Sequence, residues 1–385
     1  MMKLDKSKWS QTPFSDVVEC VEKHDKTPLQ NGLINFVGLE NIDSETLKII
    51  GSGTIENGTT FSKTFKGGDV LFGKRRAYLR KVAIADFDGI CSGDILVFRA
   101  IENRLSPNLL LYYVSSDTFI SYAVSTSAGS LSPRTKWRDL AMYEIPLPPQ
   151  DEQQRIVELF QSVEQSIVQA ERQEKNLKLL QKSLSNGLAS NPPVFGNLLS
   201  KENCKPCSFS DIVECIEVHD KTPLENGLIR FVGLEHIESE NFALQGYGNV
   251  EDGTTFTKRF AKGDALFGKR RAYLKKVAVA DFDGICSSDI LVFRAIEKEI
   301  IPELLPYYVS SDAFMNHAVS TSAGSLSPRT KWRDLAGFQL SVPDIKTQEK
   351  IVDVLEQLSQ SLQWMGQQKA TLKKLKQKLL NEILG

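Results

Sequence analysis

The stretch VSTSAGSLSPRTKWRDLA, Val124 to Ala141, occurs a second time without a change from Val319 to Ala336. Everything around it obeys the same displacement of 195 positions. His24 in EKHDKTPL returns as His219 in EVHDKTPL, and Trp137 returns as Trp332. Between Leu71–Arg99 and Leu266–Arg294 only three of 29 positions differ: Arg80/Lys275, Ile84/Val279 and Gly93/Ser288. A period this long exceeds the roughly 20–50 residues of a solenoid repeat. The chain is therefore a whole domain plus its connector, used twice.

The end of each unit has a texture of its own. Pro146, Pro148 and Pro149 close the first globular stretch, and Pro343 closes the second. After each comes an apolar stripe at steps of four and three: Ile156, Phe160, Val163, Ile167, Ala170, Leu177 and Leu184, repeated as Ile351, Leu355, Leu358, Leu362, Met365, Leu372 and Leu379. That spacing predicts two long helices with a heptad seam. The first, Asp151–Asn186, would span roughly 54 Å. Gly187 is expected to stop it, and Asn191-Pro192-Pro193 to prevent its continuation. Each stripe could lie on its own globular unit. Two equal stripes at the same place in both copies favour pairing with each other, antiparallel, with the globular units at opposite ends and related by a pseudo-two-fold axis. The expected division is 1–150, a helical spacer 151–190, 191–345, and a second spacer 346–385.

Inside each unit, Asp69–Phe72, Lys81–Ala85 and Ile95–Arg99 read as short strands bounded by Gly and Asp. Pro107–Ser116 and Asp117–Val124 carry apolar residues at helical spacing. The reading is α+β, a curved sheet with helices packed on it.

The composition of the 385 residues is that of a globular protein, 41% hydrophobic and 25% charged, with a net charge of −1. No window approaches eighteen consecutive apolar residues, so no membrane helix is expected, and MMKLDKSKWSQTPF lacks the apolar core of a secretory signal. The cytoplasm is the default expectation, with the six Cys as free thiols. The near-neutral balance excludes a polycation that coats nucleic acid indiscriminately. Any basic patch must be local.

Such a patch exists. Lys74, Arg75, Arg76, Tyr78, Arg80 and Lys81 crowd into eight residues with no acid among them, and Lys269, Arg270, Arg271, Tyr273, Lys275 and Lys276 copy them. Arg presents a planar donor fork matched to guanine or phosphate, and Tyr can stack. A solvated charge run is the bland alternative; the near-identity of the two copies weighs against it. The second signal is the repeated loop itself. Its hydroxyls Ser127, Ser130 and Ser132 (copies Ser322, Ser325 and Ser327) and its cations Arg134 and Lys136 (copies Arg329 and Lys331) are phosphate-positioning types, while Trp137 reads as core.

Several enzyme-like strings are weak. Gly68–Lys74 matches GxxxxGK, but Arg75 stands where a Mg²⁺-binding Ser or Thr is needed. Asn191-Pro192-Pro193-Val194 has Val194 in place of a base-stacking aromatic. Cys204 and Cys207 are half a zinc set. His24-Asp25 and the pair Asp86 and Asp88 lack the partners of a hydrolase or nuclease.

Proline cluster, E-Q-x-x-I helix start, long helix, and then the same again: this order resembles the specificity subunit of type I restriction-modification systems. The signature residues are Pro146-Leu147-Pro148-Pro149-Gln150-Asp151-Glu152-Gln153-Gln154-Arg155-Ile156. The second copy, Val342–Ile351, keeps one proline and reverses the Glu-Gln order. The resemblance implies two target-recognition domains that read double-stranded DNA, with no catalytic residue or cofactor in this chain. It also implies two modification subunits that methylate adenine with S-adenosylmethionine, a restriction subunit that translocates and cleaves, and no membrane. A related system cutting outside its site, a methylation-only complex and a protein scaffold are the alternatives. Since the DNA-facing loops are nearly the same in both copies, the expected target is an interrupted palindrome with half-sites about 10–10.5 bp apart. The copies diverge most at Leu47–Glu56 against Phe242–Glu251, which either lies away from the bases or alters one edge of a half-site.

Overall fold

The computed structural model describes residues 5–44, 46–199 and 202–385. The first four residues of MMKLDKSKWSQTPF and Ser200 lie outside them. The chain divides into two units, Met1–Ala170 with Gln368–Gly385, and Glu171–Gln367. The linear four-part division and these units cut the chain at different places, because each long helix begins in one unit and ends in the other.

In chain order the first unit carries β1 (Ser10–Pro13), β2 (Val18–Cys20), β3 (Asn35–Val37), β4 (Gly53–Thr54), β5 (Lys63–Phe65), β6 (Val70–Gly73), β7 (Val82–Ile84), β8 (Gly89–Cys91), β9 (Ile95–Ala100), helices α1 (Pro107–Ser115), α2 (Asp117–Ser125) and α3 (Trp137–Leu140), and β10 (Glu144–Leu147). The three runs read as strands become β6, β7 and β9. They form an antiparallel sheet in the order β2-β9-β6-β7. A second sheet, β4-β3-β8-β5, has no counterpart in the sequence reading; its strands of two or three residues are too short to show a period.

The second sheet explains why the three runs are apolar throughout rather than alternating. Strand side chains point to opposite faces in turn. Val70, Phe72, Val82, Leu96 and Phe98 face a core shared with α1 and α2, whereas Leu71, Ala83, Ile95 and Val97 face a core shared with the second sheet. The first sheet is thus covered on both sides, and both sets must be apolar. At its edge the buried carboxylate of Asp69 takes a two-pronged bond from Arg99, Nε and Nη2 both at 2.7 Å.

The second unit repeats this plan. Val213–Ile216, Ile290–Ala295, Ala265–Gly268 and Val277–Val279 lie side by side in that order, and Arg294 grips Asp264 as Arg99 grips Asp69.

The long helices run over Gln150–Leu188 and Ile345–Leu384. Their expected stripes are buried or half-buried throughout. In the first unit Ile156, Val157 and Phe160 share a core with Leu380, Ile383 and Leu384, and Lys376 meets Glu164 at 2.8 Å. In the second unit Leu188 shares a core with Ile351 and Leu355. The start of one helix meets the end of the other in each unit, as oppositely directed helices do. Both readings of the stripe therefore hold, since the same residues also pack on the globular layers.

Two details depart from expectation. The first helix continues past Gly187 to Leu188, so Gly187 is not its stop. Its role is close approach: the connector folds back so that Val194 N–H donates to the Gly187 carbonyl at 2.8 Å, and a Cβ there would collide with the Val194 carbonyl. The reversed Glu-Gln order at the second helix is also only apparent. In register, Gln153 and Gln348 coincide, and both are buried. Gln153 accepts from Ser106 N–H and donates to the carbonyls of Arg104 and Pro148; Gln348 repeats this with Ile301, Glu299 and Pro343. The signature glutamine ties the helix start to the globular layers by satisfying three backbone groups, of which the Pro148 and Pro343 carbonyls are bonded in buried surroundings.

Candidate nucleic-acid interface

Beyond the end of β6, Lys74–Arg76 acquire a neighbour. Thr135 N–H donates to the Lys74 carbonyl at 3.1 Å and Arg76 N–H to the Pro133 carbonyl at 2.8 Å, with Arg75 and Arg134 opposed as antiparallel partners. The two separate signals of the sequence are thus zipped into one surface. Ala128 and Arg134 exchange both backbone bonds at 3.0 Å, closing a hairpin over residues 129–133. Gly129 sits at φ +114, which favours glycine and makes the tight return possible. Below the hairpin Thr135 is fully buried, its hydroxyl 3.2 Å from that of Thr126.

A carboxylate that the sequence reading missed organises the cations. Asp94 Oδ1 accepts from Arg134 Nε at 2.7 Å, and Asp94 Oδ2 lies 3.5 Å from Arg75 Nη1. Arg75 Nε donates to Ser132 Oγ at 2.7 Å. The hydrogen bond from Arg134, with help from the Arg75 charge, holds the Asp94 carboxyl below its usual range. Arg134 also gives Nη2 to Asp94 Oδ2 at 3.3 Å and Nη1 to the Ser132 carbonyl at 3.4 Å, so both guanidiniums are fixed in orientation while over two-fifths of each side chain stays exposed. Charge-assisted bonds of this kind hold a planar fork in one orientation at the surface. Asp94 could have been noticed as the first acid after the ADFDG turn, kept in both copies.

The turn between β6 and β7 has an unusual backbone. Arg76 and Arg80 both have φ near +54, flanking a single 3-10 turn at Ala77–Leu79. Left-handed non-glycine residues cost energy and cluster where geometry serves a function. Here Ala77 is buried while Arg76 and Tyr78 stand in solvent. Lys136 and Ser130 are exposed too, and Lys74 is half-buried.

Other expected site residues are engaged inside the unit. Arg80 binds the Ser115 carbonyl at 3.0 Å and Asp117 at 2.6 Å, and Asn381 from the second long helix holds the same Asp117 at 2.7 Å. Lys81 Nζ donates to the carbonyls of Leu39 and Ile42 at 2.6 and 2.9 Å. Ser127 Oγ donates to the Ala123 carbonyl at 2.7 Å. Their polar ends already have partners. Trp137 packs on Phe14 and Phe98, the core role expected of it.

The second unit reproduces the arrangement. Arg270 donates to Ser327, Arg329 to Asp289, and Arg271 and Lys275 adopt the same left-handed backbone. Lys331, Ser325 and Tyr273 are exposed, Lys276 donates to the Leu234 carbonyl, and Ser322 to that of Ala318. Lys275 binds Asp312 at 2.5 Å, which Asn186 of the first long helix also holds. Desolvation pushes the half-buried Lys269 ammonium below its usual range. The divergent segments begin at the outer edge of the first sheet, where Ile84 N–H bonds the Leu47 carbonyl and Val279 N–H that of Phe242, and end as an edge strand of the second sheet, Gly53–Thr54 and its copy Gly248–Asn249. Arg230 stacks over Tyr247 at 4.4 Å, where the first unit has Asn35 and Ser52.

The weak strings resolve into structure. Gly68–Lys74 is mostly strand β6, not a phosphate cradle. Cys204 and Cys207 lie three apart on one strand and so face opposite sides. His24 pairs with Ser62, while Asp25 turns away to Thr27 and Asn31. Asp88 accepts from Gly67 N–H in a turn. Cys20, Cys91, Cys207, Cys215 and Cys286 are free thiols, and burial pushes Cys20, Cys91 and Cys286 up to about 12.

Comparison with known proteins agrees with this doubled plan. The family model described as the type I restriction modification DNA specificity domain matches residues 6–179 and again 215–374. The chain is 31% identical over 195 residues to the type I restriction enzyme EcoDI specificity subunit of Escherichia coli, covering 50% of this chain and 41% of that protein. The match thus spans less than half of that relative. Among solved structures, one described as the structural basis underlying complex assembly and conformational transition of the type I R-M system superposes with a TM-score of 0.62 at 21% identity, over 99% of this chain and 98% of that one. The type-I restriction-modification system S subunit from M. genitalium does so with a TM-score of 0.56 at 14% identity, over 100% and 98%. These likenesses show the fold.

Proposed function

The chain belongs to the type I restriction modification DNA specificity family, and from that premise we propose that it is a sequence-specific reader of double-stranded DNA that brings catalytic partners to a bipartite site. The observation that carries this reading is the zipped surface. Arg75, Arg76, Arg134, Lys136 and the half-buried Lys74 share it with one carboxylate, Asp94, and the same set recurs in the second unit. Five cations against one anion suit a phosphate backbone, and exposed guanidiniums held in fixed orientation suit base edges. Recognition is assigned to residues 1–150 and 191–345, with 151–190 and 346–385 as helical spacers. Arg80, Lys81, Ser127 and their copies are left out of the contact set, because their polar ends are bonded within their own units.

In this proposal the chain carries out no chemistry. It docks two modification subunits, which supply methyl transfer to adenine, and a restriction subunit, all within the cytoplasm. The two faces carry the same side chains in the same bonds, so each reads the same letters. With the antiparallel pairing expected from the heptad stripes, equal readers meet opposite strands and the target is an interrupted palindrome, half-sites about 10–10.5 bp apart.

Selection of bound duplexes from a random pool by the purified chain tests the proposal. An enriched inverted repeat is expected. Retention of the pool without enrichment refutes sequence reading, and unlike half-sites refute the palindrome.

A further inference from the structure

The tip of the pinned hairpin is not polar. Leu131 is 89% exposed and its copy Leu326 is 90% exposed, the highest values among the exposed large apolar side chains. Single exposed leucines are ordinary on protein surfaces. Three features set these two apart. They stand at the same apex in both units, although several other exposed apolar positions differ between copies, such as Met142 against Gly337. The apex is rigid: the Ala128–Arg134 bonds close it, Arg75 ties down Ser132, and Arg76 Nη2 reaches the Leu131 carbonyl at 3.3 Å. It also lies between Ser130 and Ser132 on the surface that Arg75, Arg76 and Arg134 share.

A cationic surface draws the duplex backbone in, and whatever projects from its middle meets the bases. A serine or lysine there would find phosphate or water. A branched hydrocarbon finds apolar partners only in a thymine methyl at the groove edge or in the base stack itself. We propose that Leu131 and Leu326 are apolar wedges, each entering a base step of its half-site and opening the stack. The inference rests on the DNA-reading function above. Rigidity matters because a floppy loop would lose, on ordering, much of what the apolar contact supplies, and the bonds at the apex remove most of that freedom beforehand. Apolar side chains used in this way unstack and kink a step. In a protein that presents a base to a methylating partner, an opened step lowers the barrier to extruding that base.

The test uses the full chain and the duplex it selects, with 2-aminopurine placed in turn at each position of both half-sites. The wild type is expected to raise fluorescence at one step in each half. Leu131→Ala should abolish the rise in one half only, and Leu326→Ala in the other. The double variant should lose about ten- to a hundredfold in affinity while keeping the slope of affinity against salt, because no cation is removed. Leu131→Met should keep the signal. Both leucines are solvent-exposed, so melting temperatures should not move. Fluorescence that survives in both halves of the double alanine variant overturns the wedge, as does a loss confined to the salt slope. Absence of any DNA binding by the wild type sinks the reading function itself, a different result from binding with no open step.

Discussion

Replacing Arg75 and Arg270 together by Ala isolates the proposed phosphate-facing surface from the cations held inside the units. Each guanidinium keeps about two-fifths of its side chain in solvent. Each has one donor on a serine, while its carboxylate partner is held mainly by another arginine, Arg134 or Arg329. Removal should therefore leave Asp94 and Asp289 seated and the hairpin closed. On duplex DNA the logarithm of the binding constant falls with the logarithm of salt by about 0.9 per phosphate neutralised. Two lost contacts should flatten the slope by about 1.8. Arg80→Ala with Lys275→Ala removes the same formal charge from positions bonded to Asp117 and Asp312. That pair should leave the slope within error of wild type. Affinities measured by fluorescence anisotropy between 50 and about 300 mM salt on the selected duplex decide the matter. An unchanged slope in the first variant, or equal flattening in both, would show that sequence charge rather than the folded placement of the cations governs binding, and would refute the assignment.

Two further outcomes follow from the same geometry. Gln153→Leu should lower stability by about 3 kcal/mol, since it leaves two carbonyls and one N–H without partners at a cost of about 1–3 kcal/mol each before relaxation, and Gln348→Leu should match it in urea titrations; a cost under about 0.5 kcal/mol would contradict the anchoring role. The Asp94 carboxyl is held below the usual carboxylate range by Arg134, and Asp289 likewise by Arg329. A depressed pKa gives stability that is present above the unfolded value of about 3.9 and is lost as pH falls through the folded value. Asp94→Asn with Asp289→Asn should therefore lower the urea midpoint at pH 6, with the difference from wild type shrinking below about pH 4; a difference that grows toward low pH would invert the argument.

Much of the architecture was open to sequence reading because the chain states it twice. A displacement of 195 positions, held without a gap, marked the repeated unit before any element was assigned. The apolar stripe from Ile156 to Leu184 has a period that only a long helix satisfies, and Val70–Phe72 and Ile95–Phe98 are too uniformly apolar for a surface. The second sheet was hidden, since strands such as Phe36–Val37 and Ile90–Cys91 are too short to carry a period and pair with residues far along the chain. At the site, the two cationic segments were each visible, but nothing local distinguished Arg75 from Arg80. Asp94 and Leu131 were passed over because an isolated acid and an isolated leucine carry no pattern.

The sequence by itself determined that one domain is used twice, that helices link the copies, and that cations gather in two places per copy, since repetition, periodicity and charge are properties of order along the chain. Only the tertiary structure decided which of those cations are available. Strand pairing between residues 74–76 and 133–135 brings together groups 59 positions apart at Arg75 and Arg134. The same folding delivers Arg80 to Asp117 and Lys81 to the carbonyls of Leu39 and Ile42. How far a charge can reach a ligand depends on how much of it its partners leave exposed, and that is set by distances in space that the linear order does not contain.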